Sequence, residues 1–131
     1  MHRLFLDANI LFSAAYRRDS GLVQLWKLKD TILCSSRYAL EEARINLEGN
    51  EQRLRLEKLA RQVHRFDTAT RELSPRFSLP EKDVPIFLAA IEARATHLIT
   101  GDIRHFGPYF GKQIQGMLIL LPSDYLKKYA R

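Results

Sequence analysis

Residues 3–11 read Arg-Leu-Phe-Leu-Asp-Ala-Asn-Ile-Leu, and this stretch decides the expected fold. The apolar run 3–6 predicts a buried strand that stops at Asp7. Over residues 9–16 the apolar side chains recur at helical spacing, so a helix follows the strand almost at once. A strand that leads directly into a helix is typical of the first unit of an alternating α/β chain.

The same alternation continues along the rest of the chain. We predict further strands at 31–34, 68–73, 97–100 and 117–122. We predict helices starting at 19–21 and running over 36–47, 51–66, 83–95 and 123–131, with loops at 74–82 and 106–116. The strands are continuous apolar runs, which indicates a mostly parallel sheet covered by helices on both faces.

Composition limits the class of protein. A chain of 131 residues with 46% hydrophobic and 27% charged residues fits one globular domain. The single cysteine, Cys34, excludes an intramolecular disulfide. No apolar run approaches the roughly 20 residues that a membrane span needs, so we expect a cytoplasmic protein with no membrane partner. The net charge of +6 favours a polyanionic partner such as nucleic acid.

Four acidic positions are placed where they could meet. Asp7 directly follows the first strand, Asp102 follows the fourth, and Asp83 precedes the helix that leads into the fourth. Glu41 or Glu42, on the helix after the second strand, could reach the same place. Taken singly, each acid has an ordinary explanation as a helix cap, a turn residue or a solvated side chain. Together they would repel one another, and a hard cation such as Mg²⁺ or Mn²⁺ relieves that repulsion.

These acids lie within four motifs that resemble those of the PIN-domain nucleases. The motifs occupy residues 6–11, 39–44, 83–90 and 98–102, and order and spacing agree over residues 3–122. The resemblance implies an α/β fold with a five-stranded, mostly parallel sheet of order 3-2-1-4-5. It also implies a single PIN-like domain over residues 1–131. In pattern the chain is most similar to the toxin components of VapBC-type toxin–antitoxin systems.

The resemblance also implies roles for individual residues. The catalytic and metal-binding acids would be Asp7, Glu42, Asp83 and Asp102, and the supporting residues would be Asn9 and Thr100. Helix geometry alone does not choose between Glu41 and Glu42, since they lie about 140° and about 120° from the centre of the buried stripe. Alignment with the family motif selects Glu42. His105 stands where many relatives carry a further acid, so a second metal ion is not implied.

The function that the resemblance implies is Mg²⁺- or Mn²⁺-dependent cleavage of RNA phosphodiester bonds by an endoribonuclease. An antitoxin protein and a second copy of the chain would be its protein partners. Without the four proposed ligands, 11 acidic residues remain against 21 basic ones, a net charge of +10 that suits RNA. The candidate RNA contacts are Arg104, Arg44 and Arg37, whereas Lys58, Arg61 and Arg65 are assigned to the solvated face of the helix 51–66.

Two other functions can be weighed from the same residues. A non-catalytic nucleic-acid-binding domain on the same scaffold stays open, because a fold does not fix a function. An aspartyl phosphatase is disfavoured, because that chemistry usually needs a second aspartate two residues after the first. Here Asn9 occupies that position.

Overall fold

Strands and helices alternate along the chain, and the structure, a computed structural model, describes residues 1–66 and 84–129. The strands are β1 (His2–Leu6), β2 (Thr31–Ser36), β3 (His64–Phe66), β4 (His97–Ile99), β5 (Gln113–Ile114) and β6 (Met117–Leu120). The helices are α1 (Ala8–Tyr16), α2 (Arg37–Asn46), α3 (Asn50–Ala60), α4 (Val84–Glu92), α5 (Ile103–Phe106) and α6 (Pro122–Tyr129). Two 3₁₀ helices span Gly21–Lys27 and Gly107–Tyr109.

The described strands form one sheet of order β3-β2-β1-β4-β6-β5. Every pair is parallel except β5 with β6. The predicted α/β class and mostly parallel sheet are confirmed, but the predicted count of five strands is wrong. The additional strand arises because Gln115 and Gly116, with φ values of 53° and 83°, make a two-residue turn. This turn folds β5 back onto β6 at the edge of the sheet.

The predicted helix over 51–66 is correct only for its first part. Helix α3 ends at Ala60, and residues 64–66 form β3, which pairs in parallel with β2. Val63 and Phe66 fit the apolar spacing of the helix. In the structure, however, Val63 directly precedes β3 and Phe66 is the last residue of that strand, and both pack in or against the core. Pairing with β2 gives residues 64–66 backbone hydrogen bonds that the periodicity alone did not reveal. The predicted strand at 68–73 and loop at 74–82 lie outside the described residues.

Three further boundaries differ from the predictions. The helix expected to reach Ala95 stops at Glu92, and Arg94 takes a left-handed conformation with φ of 55°. The helix expected after Ser20 is a 3₁₀ helix, capped by the Ser20 hydroxyl, which accepts a 3.3 Å hydrogen bond from the Leu22 N–H. The loop expected at 106–116 contains the second 3₁₀ helix and β5.

Strand order reverses between β1 and β4. From β1 the chain continues to β2 and β3 on one side, whereas β4 and β6 lie on the other. The N–H of Asp7 donates a 3.0 Å hydrogen bond to the carbonyl of Ile99, so the ends of the two strands are held side by side. The carboxyl ends of parallel strands at such a reversal are where α/β proteins bind ligands. Within residues 1–66 and 84–129, no helix has the length and apolar character needed to cross a membrane.

At the amino ends of β1 and β4, four rings pack together. The ring centroids of His2 and His97 are 4.5 Å apart, and those of Tyr125 and Tyr129 are 4.6 Å apart. Nδ1 of His2 lies 2.7 Å from the Tyr125 hydroxyl. Burial, together with the smaller effects of the charges of His2 and Lys128, lowers the pKa of His97 to about 4. His97 is therefore neutral in the folded protein at neutral pH.

We expect this cluster to make stability depend on pH. An unfolded histidine titrates near pH 6.5, and His97 in the folded protein titrates near 4, so the folded state binds fewer protons between these values. The free energy of unfolding should therefore fall as pH drops from about 6.5 to about 4, by an upper limit of about 3 kcal/mol. Urea unfolding across this range measures the loss. In His97→Gln this part of the pH dependence should be absent. If the free energy of unfolding of this variant fell as steeply with pH as that of the wild type, His97 would not be the group responsible.

Candidate functional site

A cavity of about 760 Å³ opens beside the carboxyl ends of β1 and β4. Three carboxylates line this acidic cavity: Asp7 after β1, Asp102 after β4 and Glu42 on α2. Among its described lining residues there is no lysine or arginine. The remaining lining residues are Ala8, Asn9, Ile10, Phe12, Ser13, Leu22, Ala43, Asn46, Gly101 and Pro122.

Asp7 is fixed at the junction of β1 and α1. Its side chain is almost fully buried, and Oδ1 accepts a 2.7 Å hydrogen bond from the N–H of Ala8, so the residue caps α1. Oδ2 accepts hydrogen bonds from the Thr100 hydroxyl at 2.7 Å and from the Asn9 amide at 3.1 Å. Capping and a place in the cavity are both roles of this one side chain.

Thr100 and Asn9 join the two strand ends. The buried Thr100 Oγ1, which donates to Asp7, also accepts a 3.1 Å hydrogen bond from the N–H of Asp102. Asn9 Oδ1 accepts a 2.8 Å bond from the N–H of Gly101, while its amide nitrogen donates to Asp7. A Cβ atom on Gly101 would lie 3.3 Å from Asn9 Oδ1, so the missing side chain permits this close approach. The two residues predicted as supporting residues therefore lie in the structure between the loops that carry Asp7 and Asp102.

Asp102 begins the short helix α5. Its Oδ1 accepts a 3.1 Å hydrogen bond from the N–H of His105, which is an N-cap contact. Nδ1 of the His105 imidazole lies 2.7 Å from Oδ2 of the same carboxylate. The residue that departs from the family pattern is therefore in direct contact with one of the predicted acids.

The structure separates Glu42 from its neighbour Glu41. Glu42 is half-buried and lines the acidic cavity, whereas the exposed Glu41 lines a different cavity. Glu41 is bonded to the Arg44 guanidinium, with Nε to Oε2 at 3.2 Å, and this bond holds the pKa of Glu41 below its usual value. Glu42 is thus the glutamate of this pair that faces Asp7 and Asp102 across the cavity.

Other predicted residues do not lie in the acidic cavity. Asp83 falls outside the described residues. Arg37 and Arg44 line a second cavity on the other side of α2, and Arg104 is exposed on α5 without lining either cavity. The three arginines predicted to bind RNA therefore do not surround the acids.

The sequence analysis missed several residues of the acidic cavity. Ser13 is four residues after Asn9 on α1, and Asn46 is four residues after Glu42 on α2. That spacing places each on the same helix face as its partner and could have identified both. Phe12 gives the cavity an apolar wall, and its ring packs on Tyr16 with centroids 5.3 Å apart.

The acids share a cavity without forming a compact ligand group. In the part of the chain that the structure describes, no three His, Cys, Asp or Glu side chains are close enough together to hold a metal ion. The donor chemistry nevertheless fits one class of ion, because carboxylate and amide oxygens are ligands that Mg²⁺ and Mn²⁺ prefer. Glu42 is half-buried and on a helix surface, so its side chain has room to turn further into the cavity.

Comparison with known proteins identifies the family. A family model described as the PIN domain matches residues 3–104, and the chain therefore belongs to the PIN domain family. A structure of VapBC2 from Rickettsia felis bound to a DNA fragment from its promoter matches with a TM-score of 0.65 and 19% identity, covering 89% of this chain and 96% of that one. VapBC-1 from nontypeable Haemophilus influenzae matches with a TM-score of 0.58 and 17% identity, covering 92% and 98%. At these identities the likeness concerns the fold, and the comparison with curated proteins gave no match.

We expect the Thr100 hydroxyl to hold the two strand ends together. Thr100→Val keeps the branched shape, but it removes the 2.7 Å donor to Asp7 Oδ2 and the acceptor of the Asp102 N–H. The free energy of unfolding should fall by about 1–3 kcal/mol. As a control, Thr31→Val removes a half-buried hydroxyl that makes a single 3.3 Å bond to the Leu28 carbonyl, and it should cost less than about 1 kcal/mol. Equal losses for the two variants in urea unfolding would refute this role of Thr100.

Proposed function

We propose that this member of the PIN domain family is a Mg²⁺- or Mn²⁺-dependent endoribonuclease, the toxin of a VapBC-type toxin–antitoxin pair. The observation that carries the proposal is that Asp7, Glu42 and Asp102, far apart in sequence, line one cavity. The cavity lies at the strand-order reversal, the usual ligand position in such sheets. Proteins of the PIN domain family are typically nucleases, and the proposed acids lie within the four motifs that resemble those of the family.

The proposed roles follow from how firmly each side chain is held. Asp7 and Asp102 would be the central ligands, because hydrogen bonds from the backbone fix one oxygen of each. Glu42 would complete the set from α2, and Asp83 is proposed as the fourth acid. A divalent cation supplies Lewis-acid chemistry at such a site, since it lowers the pKa of water and offsets negative charge on a phosphodiester. Asn9 and Thr100 would keep the Asp7 carboxylate oriented toward the cavity.

Charge supports a polyanionic substrate. The acidic cavity is set in a chain whose remaining residues carry a net charge of +10 when the four proposed acids are left out. Such a body attracts a phosphate backbone, while the acids by themselves would repel it. A divalent cation held by the acidic residues would resolve this conflict, because it would offset the negative charge of the carboxylates and of the phosphate.

The partners are also part of the proposal. Two solved structures with similar folds are VapBC complexes, which supports an antitoxin as the protein partner of this chain. A homodimer, a single domain over residues 1–131 and a cytoplasmic location stay predictions.

A non-catalytic nucleic-acid-binding domain is the second candidate function. It is favoured by the absence of a compact ligand group among residues 1–66 and 84–129, and by the His105 imidazole beside Asp102. This alternative predicts nucleic-acid binding without cleavage and no dependence on a divalent cation.

We expect labelled RNA to be cleaved by the purified protein with Mn²⁺ and to stay intact with EDTA. Glu42→Gln should lower the initial rate of cleavage about tenfold or more, since a lost contact at a metal site costs at least that much. Glu41→Gln is the matched control: it removes the same charge one residue away, outside the acidic cavity, and should keep the rate within about twofold. Asp7→Asn should abolish cleavage. A melting curve of this variant is recorded in parallel, because the amide keeps only one of the two Asp7 oxygens that accept hydrogen bonds in the folded protein.

The same assay decides between the two candidate functions. Cleavage of RNA in preference to DNA supports the ribonuclease. Binding of RNA without cleavage under Mn²⁺ would establish the non-catalytic alternative. Equal rates for Glu41→Gln and Glu42→Gln would remove Glu42 from the site.

A further inference from the structure

We infer that α2 guides single-stranded RNA from the acidic cavity, across its exposed surface, into an arginine-lined groove on its other side. This inference rests on the proposed function for the identity of the polyanion, and it adds a binding surface that the acidic cavity does not include. Helix α2 is the shared wall, since residues from one side of it line the acidic cavity and residues from the other side line the groove.

The arginine groove is a second cavity, of about 390 Å³. Leu40 on α2 and Leu56 and Ala60 on α3 give it apolar walls. Four exposed arginines line it, from three different elements: Arg37 and Arg44 on α2, Arg61 at the end of α3 and Arg65 on β3. The assignment of Arg61 and Arg65 to one solvated helix face is therefore wrong. The early end of α3 and the return of the chain into β3 turn them toward α2.

The groove carries a surplus of positive charge. Its four arginines face two glutamates, Glu41 and Glu57, and Arg44 is already bonded to Glu41. The balance of +2 is delivered by guanidinium groups, which are planar and donate two parallel hydrogen bonds to one phosphate. A phosphodiester backbone fits this chemistry better than a lone carboxylate does, because successive phosphates can meet successive arginines.

The surface of α2 between the two cavities is apolar and exposed. At 3.6 residues per turn, Glu42 and Asn46 share one side of the helix, and Arg37, Glu41 and Arg44 share another. Tyr38 and Ile45, seven residues apart, lie on the outer surface between these sides. They are 41% and 62% exposed.

The order in which acidic, aromatic and basic side chains follow one another across α2 favours one kind of ligand. On one side of α2 lie the carboxylates, which suit a phosphate accompanied by a metal ion. The Tyr38 ring, on which a base can stack, comes next, and the arginines that would bind the following phosphates lie on the other side. A single-stranded nucleic acid carries both phosphates and bases at each step. An acidic peptide would match the charge of the groove, but it does not carry a planar base beside each negative charge, as a nucleic acid does. The arrangement therefore favours RNA over a protein segment for this surface.

The test measures binding separately from cleavage. A fluorescein-labelled, unstructured RNA of about 12 nucleotides, within the range that such surfaces hold, is titrated with protein in EDTA and followed by anisotropy. The double variant Arg61→Gln/Arg65→Gln should bind about tenfold more weakly than the wild type. Lys27→Gln/Lys58→Gln is the control of equal charge, since both lysines are exposed and neither lines the groove. Its affinity should stay within about twofold.

Two further readouts identify phosphate contacts and stacking. The slope of log affinity against log salt should become shallower by about 1.4 in the arginine variant, at about 0.7 for each lost phosphate contact with a single strand. Tyr38→Leu should weaken binding about fivefold and Tyr38→Phe should not, because the phenylalanine ring still stacks. In the cleavage assay the arginine variant should raise KM and leave kcat unchanged.

The outcomes separate this inference from the proposed function. Equal affinities and salt slopes for the arginine and lysine variants would overturn the groove as an RNA surface, even if the wild type cleaves RNA. Selective loss of binding in the arginine variant supports the groove, even if no cleavage is found with Mn²⁺, in which case the ribonuclease proposal fails alone. Melting curves of both double variants exclude unfolding as the cause.

Discussion

The site depends on the side-by-side placement of the ends of β1 and β4. These strands are parallel neighbours at the reversal of strand order, so the chain segments that leave them start from the same edge of the sheet. The Thr100 hydroxyl donates to the Asp7 carboxylate and accepts from the Asp102 N–H, and these two bonds connect the segments that follow β1 and β4. Because Thr100 is fully buried, water does not compete for these bonds, and they retain their strength. The acidic cavity is the open space beside this junction.

Part of the site could be predicted from the sequence for a simple geometric reason. Asp7 and Asp102 each follow an apolar run, and the carboxyl ends of parallel strands meet at one edge, so strand prediction was enough to place them. The choice of Glu42 over Glu41 could not be made in this way. The two residues differ by only about 20° from the centre of the buried stripe, and the family motif had to select one. The structure separates them because Arg44, one helical turn after Glu41, draws that carboxylate away from the cavity.

The sequence predicted β3 wrongly because helical periodicity reports only on residues that are close together in the chain. Val63 and Phe66 continue the apolar spacing of α3, yet residues 64–66 pair with β2, an interaction with a strand that ends about 30 positions earlier. No local pattern reports such pairing. The same limit hid the arginine groove, since Arg61 and Arg65 meet Arg37 only after the chain has turned back. Strand prediction therefore located Asp7 and Asp102 better than helical periodicity located the basic surface. Whether Asp83 joins them stays a prediction.

We propose that Asp7, Glu42 and Asp102 hold one divalent cation. Anomalous diffraction at the manganese absorption edge, from a crystal of the protein grown with Mn²⁺, tests it most directly. We expect one strong peak in the acidic cavity, about 2 Å from carboxylate oxygens of Asp7 and Asp102 and with Glu42 turned toward it. No peak in the cavity at saturating Mn²⁺, or a peak bound only by residues elsewhere on the surface, would contradict the account.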